Sequence, residues 1–279
     1  MQIQFQNAQG EITDINSGNI RIVSVTGLTP GSVINTSSIS GYDGAAYINS
    51  QMPMRNITLL LEVLGDVEEN KQKLYSIFQV KQLGILYCRS DSRNVKIQCY
   101  TEKIDSTLTS NSMEFQISLL CPQPYFESLN VMAGSIAAVI PMFKFPFHPQ
   151  REGFYVSRKS NSVMVSVNNP SEVDIGMTII FAANIAVENP SLLNVNTGEL
   201  LRLETEMLTG DTITVTTHQG NKRITRTRNS ESTNFFNALS PDSVFLPLHR
   251  GNNLFRYNAD TNLAGLEVTI YYSEYYAGV

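Results

Sequence analysis

Apolar residues in this chain recur at every second position. Residues 57–63, "ITLLLEV", place Ile57, Leu59, Leu61 and Val63 on one side. Residues 95–100 do the same with Val95, Ile97 and Cys99, and residues 113–121 with Met113, Phe115, Ile117, Leu119 and Cys121. Residues 21–25 also read as a short strand. Successive side chains of a strand point to opposite faces, so a period of two marks a strand with one buried face. Such strands pair antiparallel, one face on the core and the other toward water. The pattern therefore predicts a mainly β protein.

One stretch departs from it. In "DVEENKQKLYSIFQVK", Val67, Leu74, Ile77 and Phe78 fall on one helical face and charges fill the rest. This predicts one amphipathic helix over residues 67–80, packed on a sheet. Asp66 and Glu69 have capping-box spacing, with Asp in place of Ser or Thr.

The first β region closes at "CPQPYF", because Pro122 and Pro124 cannot continue a ladder. A mixed segment follows, with Pro141, Pro146 and Pro149 among Ile140, Phe143, Phe145 and Phe147. It reads as a linker or crossing segment. Beyond it come strand candidates at 162–167, 177–183, 211–217, 222–228, 253–257 and 266–272. Turns such as "NTGE", "TGD", "HQGN" and "RGNN" separate them. Short strands punctuated this way predict a sandwich. The expected organisation is a first β domain with one helix over 1–128, a linker over 129–152, and a β-sandwich over 153–279. The two domains are expected to fold independently.

Catalytic and metal chemistry find little support. His148, His218 and His249 lie in separate connectors, none with a second histidine at ligand spacing. No nucleophile elbow, zinc-protease or phosphate-loop motif is present. Cys88, Cys99 and Cys121 have no neighbouring histidine to act as base, and two of them share faces with aliphatic residues. They read as buried thiols packing as small hydrophobes, which suits folding in a reducing compartment. No catalytic residue, cofactor site or metal site is expected.

Charge is equally restrained: 20 basic against 25 acidic residues give a net −5. Nothing in that balance points to tight nucleic-acid binding. The N-terminal "MQIQFQNAQG" lacks the basic and apolar regions of a secretory signal. The longest apolar run, residues 136–143, contains Pro141 and is too short to span a membrane. One basic run stands out, "NKRITRTRN", with Lys222, Arg223, Arg226 and Arg228. It is either an anion or glycan patch, or an edge hairpin whose charges discourage edge-to-edge pairing. The "YYSEYY" run, with Tyr271, Tyr272, Tyr275 and Tyr276, reads as strand packing more readily than as a sugar platform, and the chain has no tryptophan.

Residues 30–53 raise a different question. They form a polar, glycine-containing loop that includes "GYDGAAYINS" and leads through Arg55 into the strand at 57–63. A loop that long with little to bury is uncommon in a compact domain unless it has a function. Gly41, Tyr42, Asp43, Gly44 and Tyr47 mark it as an arm for a neighbouring subunit, with Met52 as a further contact. The planar fork of Arg55 suits a carboxylate or a set of carbonyls at its base.

In their order, these pieces resemble the distal tail proteins of long-tailed, non-contractile bacteriophages. The resemblance rests on "SGYDGAAYINS", Arg55, "KQKLYSIF", "GILYCRS" and "FQISLLCPQPYF" in the first half. In the second it rests on "IIFAANIAVENPSLLNVNTGELLRLETEMLTGDTITVTTHQGNKRI" and "SVFLPLHRGNNLFRYNAD". It implies a tail-tube-like N-terminal β-sandwich with one helix and a galectin-like C-terminal β-sandwich. It further implies a structural virion protein assembled in the host cytoplasm. Such a protein forms a hexameric ring at the distal end of the tail and serves as an assembly hub with a lumen for DNA. The implied partners are other copies of itself, the tail-tube protein and the tail-tip protein, with tape-measure and receptor-binding proteins beyond them. "HRGNN" keeps His249, Arg250 and Asn252 but not the spacing of a galectin sugar site, so galectin-like describes a fold. Two alternatives remain at this level: a module binding host cell-wall glycan, and a tail-associated hydrolase.

Overall fold

The protein is described by a computed structural model covering residues 1–38, 40–41, 43–108, 113–135, 139–141, 157–159 and 163–279. It is mainly β, with one α-helix among the described residues. The chain divides into two compact units, Met1–Leu129 together with Tyr275–Val279, and Asn130–Glu274.

Unit 1 begins with β1 (Gln2–Gln6), β2 (Ile12–Asp14) and β3 (Ile20–Thr26). An outlying pair follows, β4 (Val33–Ser38) and β5 (Ala45–Gln51). Then come β6 (Arg55–Val63), helix α1 (Val67–Ile77), β7 (Leu83–Arg89), β8 (Asn94–Leu108), β9 (Met113–Cys121) and β10 (Phe126–Ser135), of which only residues 126–129 belong to this unit. All pairings are antiparallel, in the order β2-β1-β7-β8-β9-β6-β3. Near the start of β8, residues Val95 and Lys96 pair with Ser128 and Glu127 of β10.

Alternation along these strands fills the core. Ile57, Leu59, Leu61 and Val63 of β6 are fully buried, as are Phe115, Ile117, Leu119 and Cys121 of β9. Burying each such aliphatic or aromatic side chain contributes about 1.5–3 kcal/mol. Helix α1 adds Leu74 and Ile77, and Phe78 just beyond it sets its ring 4.5 Å from that of Phe5. The helix is shorter than residues 67–80, because Phe78 leaves helical geometry to make that contact. Asp66 makes no side-chain capping bond; its backbone carbonyl instead accepts from the backbone and side-chain amides of Asn70.

All three thiols lie in this core. Burial, aided by neighbouring Cys121, pushes Cys88 up to about 12. Cys99 is raised further by its contact with Cys121 and by burial. Both stay neutral thiols at any physiological pH, which keeps them weak nucleophiles.

In unit 2, two short strands, β11 (Val139–Pro141) and β12 (Ser157–Lys159), pair with each other. The main strands are β13 (Met164–Asn169), β14 (Thr178–Ala183), β15 (Val187–Glu188), β16 (Ser191–Asn194), β17 (Leu200–Arg202) and β18 (Glu206–Met207). They continue with β19 (Thr212–Thr216), β20 (Arg223–Arg228), β21 (Glu231–Asn234), β22 (Gly251–Asn258) and β23 (Leu266–Tyr276), whose last two residues, Tyr275 and Tyr276, belong to unit 1. One sheet runs β23-β14-β19-β20-β21 and a second runs β13-β22-β16-β17. Their inner faces supply Ile179, Phe181, Ile213, Val215, Val268 and Ile270 from the first, and Leu192, Leu201 and Phe255 from the second, all fully buried. The segment 142–156, with His148 and the phenylalanines of the expected linker, lies outside the described residues.

Candidate functional site

The arm is not an irregular loop. Residues on either side of Gly41, Asp43 and Gly44 pair as the β4–β5 hairpin, from Val33↔Gln51 to Ser38↔Ala45, with a bulge between Asn35 and Thr36. Tyr42 lies outside the described residues. Every residue of both strands is exposed, so neither face rests on the body of the unit. Polar pairs hold the hairpin across its strands: Asn35 Nδ2 donates to Asn49 Oδ1 at 2.7 Å, and the Tyr47 and Ser50 hydroxyls lie 2.9 Å apart. Yet Ile34, Tyr47 and Ile48 are each about 60% exposed. An isolated two-stranded hairpin is marginal in water.

Arg55, the first residue of β6, holds the base. Its Nε donates to the carbonyl of Pro124 at 2.8 Å. One terminal nitrogen, Nη1, donates to Gly27 at 2.7 Å and Thr29 at 3.0 Å. The other, Nη2, donates to the carbonyl of Ala277. The guanidinium also lies 4.9 Å from the centre of the Phe126 ring. The residue is 7% exposed. Burial lowers its pKa, with nearby Cys121 opposing, but arginine remains charged at any relevant pH. The fork thus ties the backbone just before the hairpin to the close of the unit's strands and to the C-terminal segment. A groove of about 280 Å³ opens beside it, lined by Val33, Met52, Met54, Arg55 and Pro124.

The basic run disperses. Arg228 makes a two-pronged ion pair with Asp211, which is 1% exposed. That pairing, with the Leu208 N–H, outweighs burial and holds Asp211 below the usual carboxylate range. Arg226 lies over the Phe235 ring at 4.3 Å, and Lys222 over Phe245 at 5.5 Å. Arg223 is exposed at the other end of β20. Their neighbours are thus an acid and two aromatic rings, while Arg226 and Arg228 together line a groove of about 280 Å³ with Asn229, Glu231 and Thr233.

A second polar cluster escaped the sequence reading. His249 Nδ1 lies 2.8 Å from Asp174 and Nε2 lies 2.9 Å from Glu199. Glu199, then Asp174, raise the imidazole pKa against the opposing effect of burial. The three residues are 50 and 75 positions apart, so no local spacing announces them. Among the described residues, no group of three or more His, Cys, Asp or Glu side chains is placed to hold a metal ion.

Comparison with known proteins agrees with this architecture. Residues 10–121 match the phage tail protein RIFT-related domain, and residues 170–276 match the C-terminal domain of the siphovirus-type tail component. No curated protein is significantly similar in sequence. Among solved structures, the Dit protein of phage SPP1, described as a paradigm of the hub adsorption apparatus in phages infecting Gram-positive hosts, superposes with a TM-score of 0.73. The match has 12% identity and covers 98% of each chain. A chain of the phage P2 baseplate in its activated conformation with calcium gives 0.56 at 12% identity, covering 97% of each. The corresponding strontium structure gives 0.55 at 11% identity, again covering 97% of each. These likenesses speak for the fold; the two domain models, matched in order along the chain, speak for the family. This chain belongs to the siphovirus distal tail protein family and is a structural component of a phage tail.

Proposed function

We propose that the protein assembles into a closed ring, a hexamer, at the distal end of the tail. There it joins the tail tube to the tail-tip proteins and leaves a lumen through which DNA passes. The supporting observation is the β4–β5 hairpin, exposed on both faces, carrying Ile34, Tyr47 and Ile48, and standing on the Arg55 anchor. A projecting element that reaches the next copy makes a head-to-tail contact, and such contacts close when the rotation is a simple fraction of a turn. A net charge of −5 suits the role, since dense Lys or Arg along a passage would bind DNA phosphates tightly. The role is structural and non-catalytic, and it is carried out in the virion, with the tape-measure and receptor-binding proteins as further neighbours.

The test compares the full chain with one in which residues 32–50 are replaced by a short linker. Light scattering at micromolar concentration should give about six times the chain mass for the first and a folded monomer for the second. A ring of unchanged size from the shortened protein would remove the hairpin from the interface. A full chain that stays monomeric across concentration and salt would count against the ring itself.

A further inference from the structure

We infer that unit 1 contains a built slot for a short peptide, filled by its own segment Tyr275–Val279, and that occupancy of this slot fixes the base of the β4–β5 hairpin. The inference goes beyond ring formation and does not depend on it.

The slot grips main-chain atoms. Arg55 donates to the carbonyl of Ala277, and Arg93 Nη1 donates to that of Gly278 at 2.8 Å. The Val279 N–H donates in turn to the carbonyl of Leu28 at 3.2 Å. Side chains add selectivity. The Arg93 guanidinium lies 4.2 Å from the centre of the Tyr276 ring, an attractive cation–ring geometry. Tyr276 and Val279 rest against the core of unit 1. Gly278 passes so close to the backbone that an added Cβ would lie 2.8 Å from Pro30 Cδ and 3.2 Å from the Leu28 oxygen. The ligand is thus a short peptide with an aromatic residue, a bend at the next position, then a small residue and an aliphatic one.

The same contacts reach the hairpin. Leu28 receives the Val279 bond, and Gly27 and Thr29 receive the other arm of the Arg55 fork. Pro30 closes over Gly278, and β4 starts three residues later at Val33. With the slot empty, Arg55 loses one of its four carbonyls and residues 27–30 lose their cover. Protection of the hairpin base therefore depends on the segment.

Hydrogen exchange read by mass spectrometry tests this in the full chain carrying Gly278→Val. Peptides covering 27–34 and 51–56 should exchange about tenfold faster, while the centre of β6, helix α1 and unit 2 keep their rates. Arg93→Ala should give a smaller rise at the same places. In a chain lacking residues 275–279, adding the acetylated peptide YYAGV at millimolar concentration should restore protection, and a peptide with valine in place of the glycine should not. Unchanged exchange at 27–34 and 51–56 in both full-chain variants overturns the inference. So does a uniform rise across every strand of unit 1, which would make the segment an ordinary part of the fold. If the shortened chain fails to fold, the two full-chain variants decide.

Discussion

Arg55 Nη2 donates to the carbonyl oxygen of Ala277, 222 positions further along the chain. One side chain thereby joins the strand that follows the hairpin to the segment at the far end of the sequence, both within unit 1. The bonds made by charged donors are the stronger ones, and here the one to Pro124 is buried and the other three are partly buried.

Replacing Arg55 by alanine should therefore destabilise unit 1 by about 3 kcal/mol, the scale of losing charged hydrogen bonds to partly buried acceptors. Arg55→Lys should recover only part, since an ammonium cannot reproduce the fork. Calorimetry should show the loss in one transition, with unit 2 little changed.

Gly27 occupies a left-handed conformation, φ +85°, and a Cβ there would lie 2.1 Å from the Asn56 oxygen. Gly27→Ala should cost about 1–3 kcal/mol in backbone strain alone, with the clash adding to it. Faster hydrogen exchange at the start of β6 would report it.

The His249 cluster makes unit 2 sensitive to pH in two directions. The folded imidazole pKa lies above its ordinary 6.5, raised mainly by Glu199. Its stabilising effect is complete below about pH 6.5 and fades as pH climbs through the raised value. Glu199, bonded to His249, lies below its ordinary 4.5. Asp174 lies below 3.8 because the Arg250 N–H and His249 outweigh its burial. Their contribution is present above those ordinary values and is lost as pH falls through the lowered ones. Unit 2 should thus be most stable between about pH 5 and 6.5, and His249→Gln should flatten the alkaline side. NMR titration of the imidazole should give a midpoint above 6.5.

Asp211 is covered by Arg228 and the Leu208 N–H. Asp211→Asn should weaken unit 2 by about 2 kcal/mol, because the ion pair loses its anionic partner and an amide NH2 is forced against a guanidinium. Urea denaturation at pH 7 should show the shift, and the difference from wild type should shrink as the pH approaches the ordinary 3.8 of an aspartate and falls below it.

Where one face of a strand meets the core, the sequence was transparent. The expected runs at 57–63 and 113–121 coincide with β6 and β9 apart from two residues at the start of β6, because every second residue there is fully buried except Met113, which is partly buried. Hairpin β4–β5 was opaque for the converse reason. Both of its faces meet solvent, so Asn, Ser and Thr fill positions where a buried strand would show an apolar period, and the stretch reads as a loop. Arg55 could be singled out as a lone charge beside a core strand, but its carbonyl partners lie 26 to 222 positions away. Asp174, Glu199 and His249 were invisible as a cluster for the same reason of distance. The return of Tyr275–Val279 to unit 1 leaves no mark in composition or spacing.

That return has a consequence for synthesis. A ribosome finishes residues 1–129 well before it reaches Tyr275, and the intervening 145 residues take roughly seven to thirty seconds at ordinary rates of synthesis. Throughout that interval the nascent first unit holds Arg55 with the Ala277 carbonyl not yet made, and Leu28 and Pro30 without their cover. Its closure waits until residues 275–279 are made, so a chain terminated before them lacks a segment that packs into unit 1.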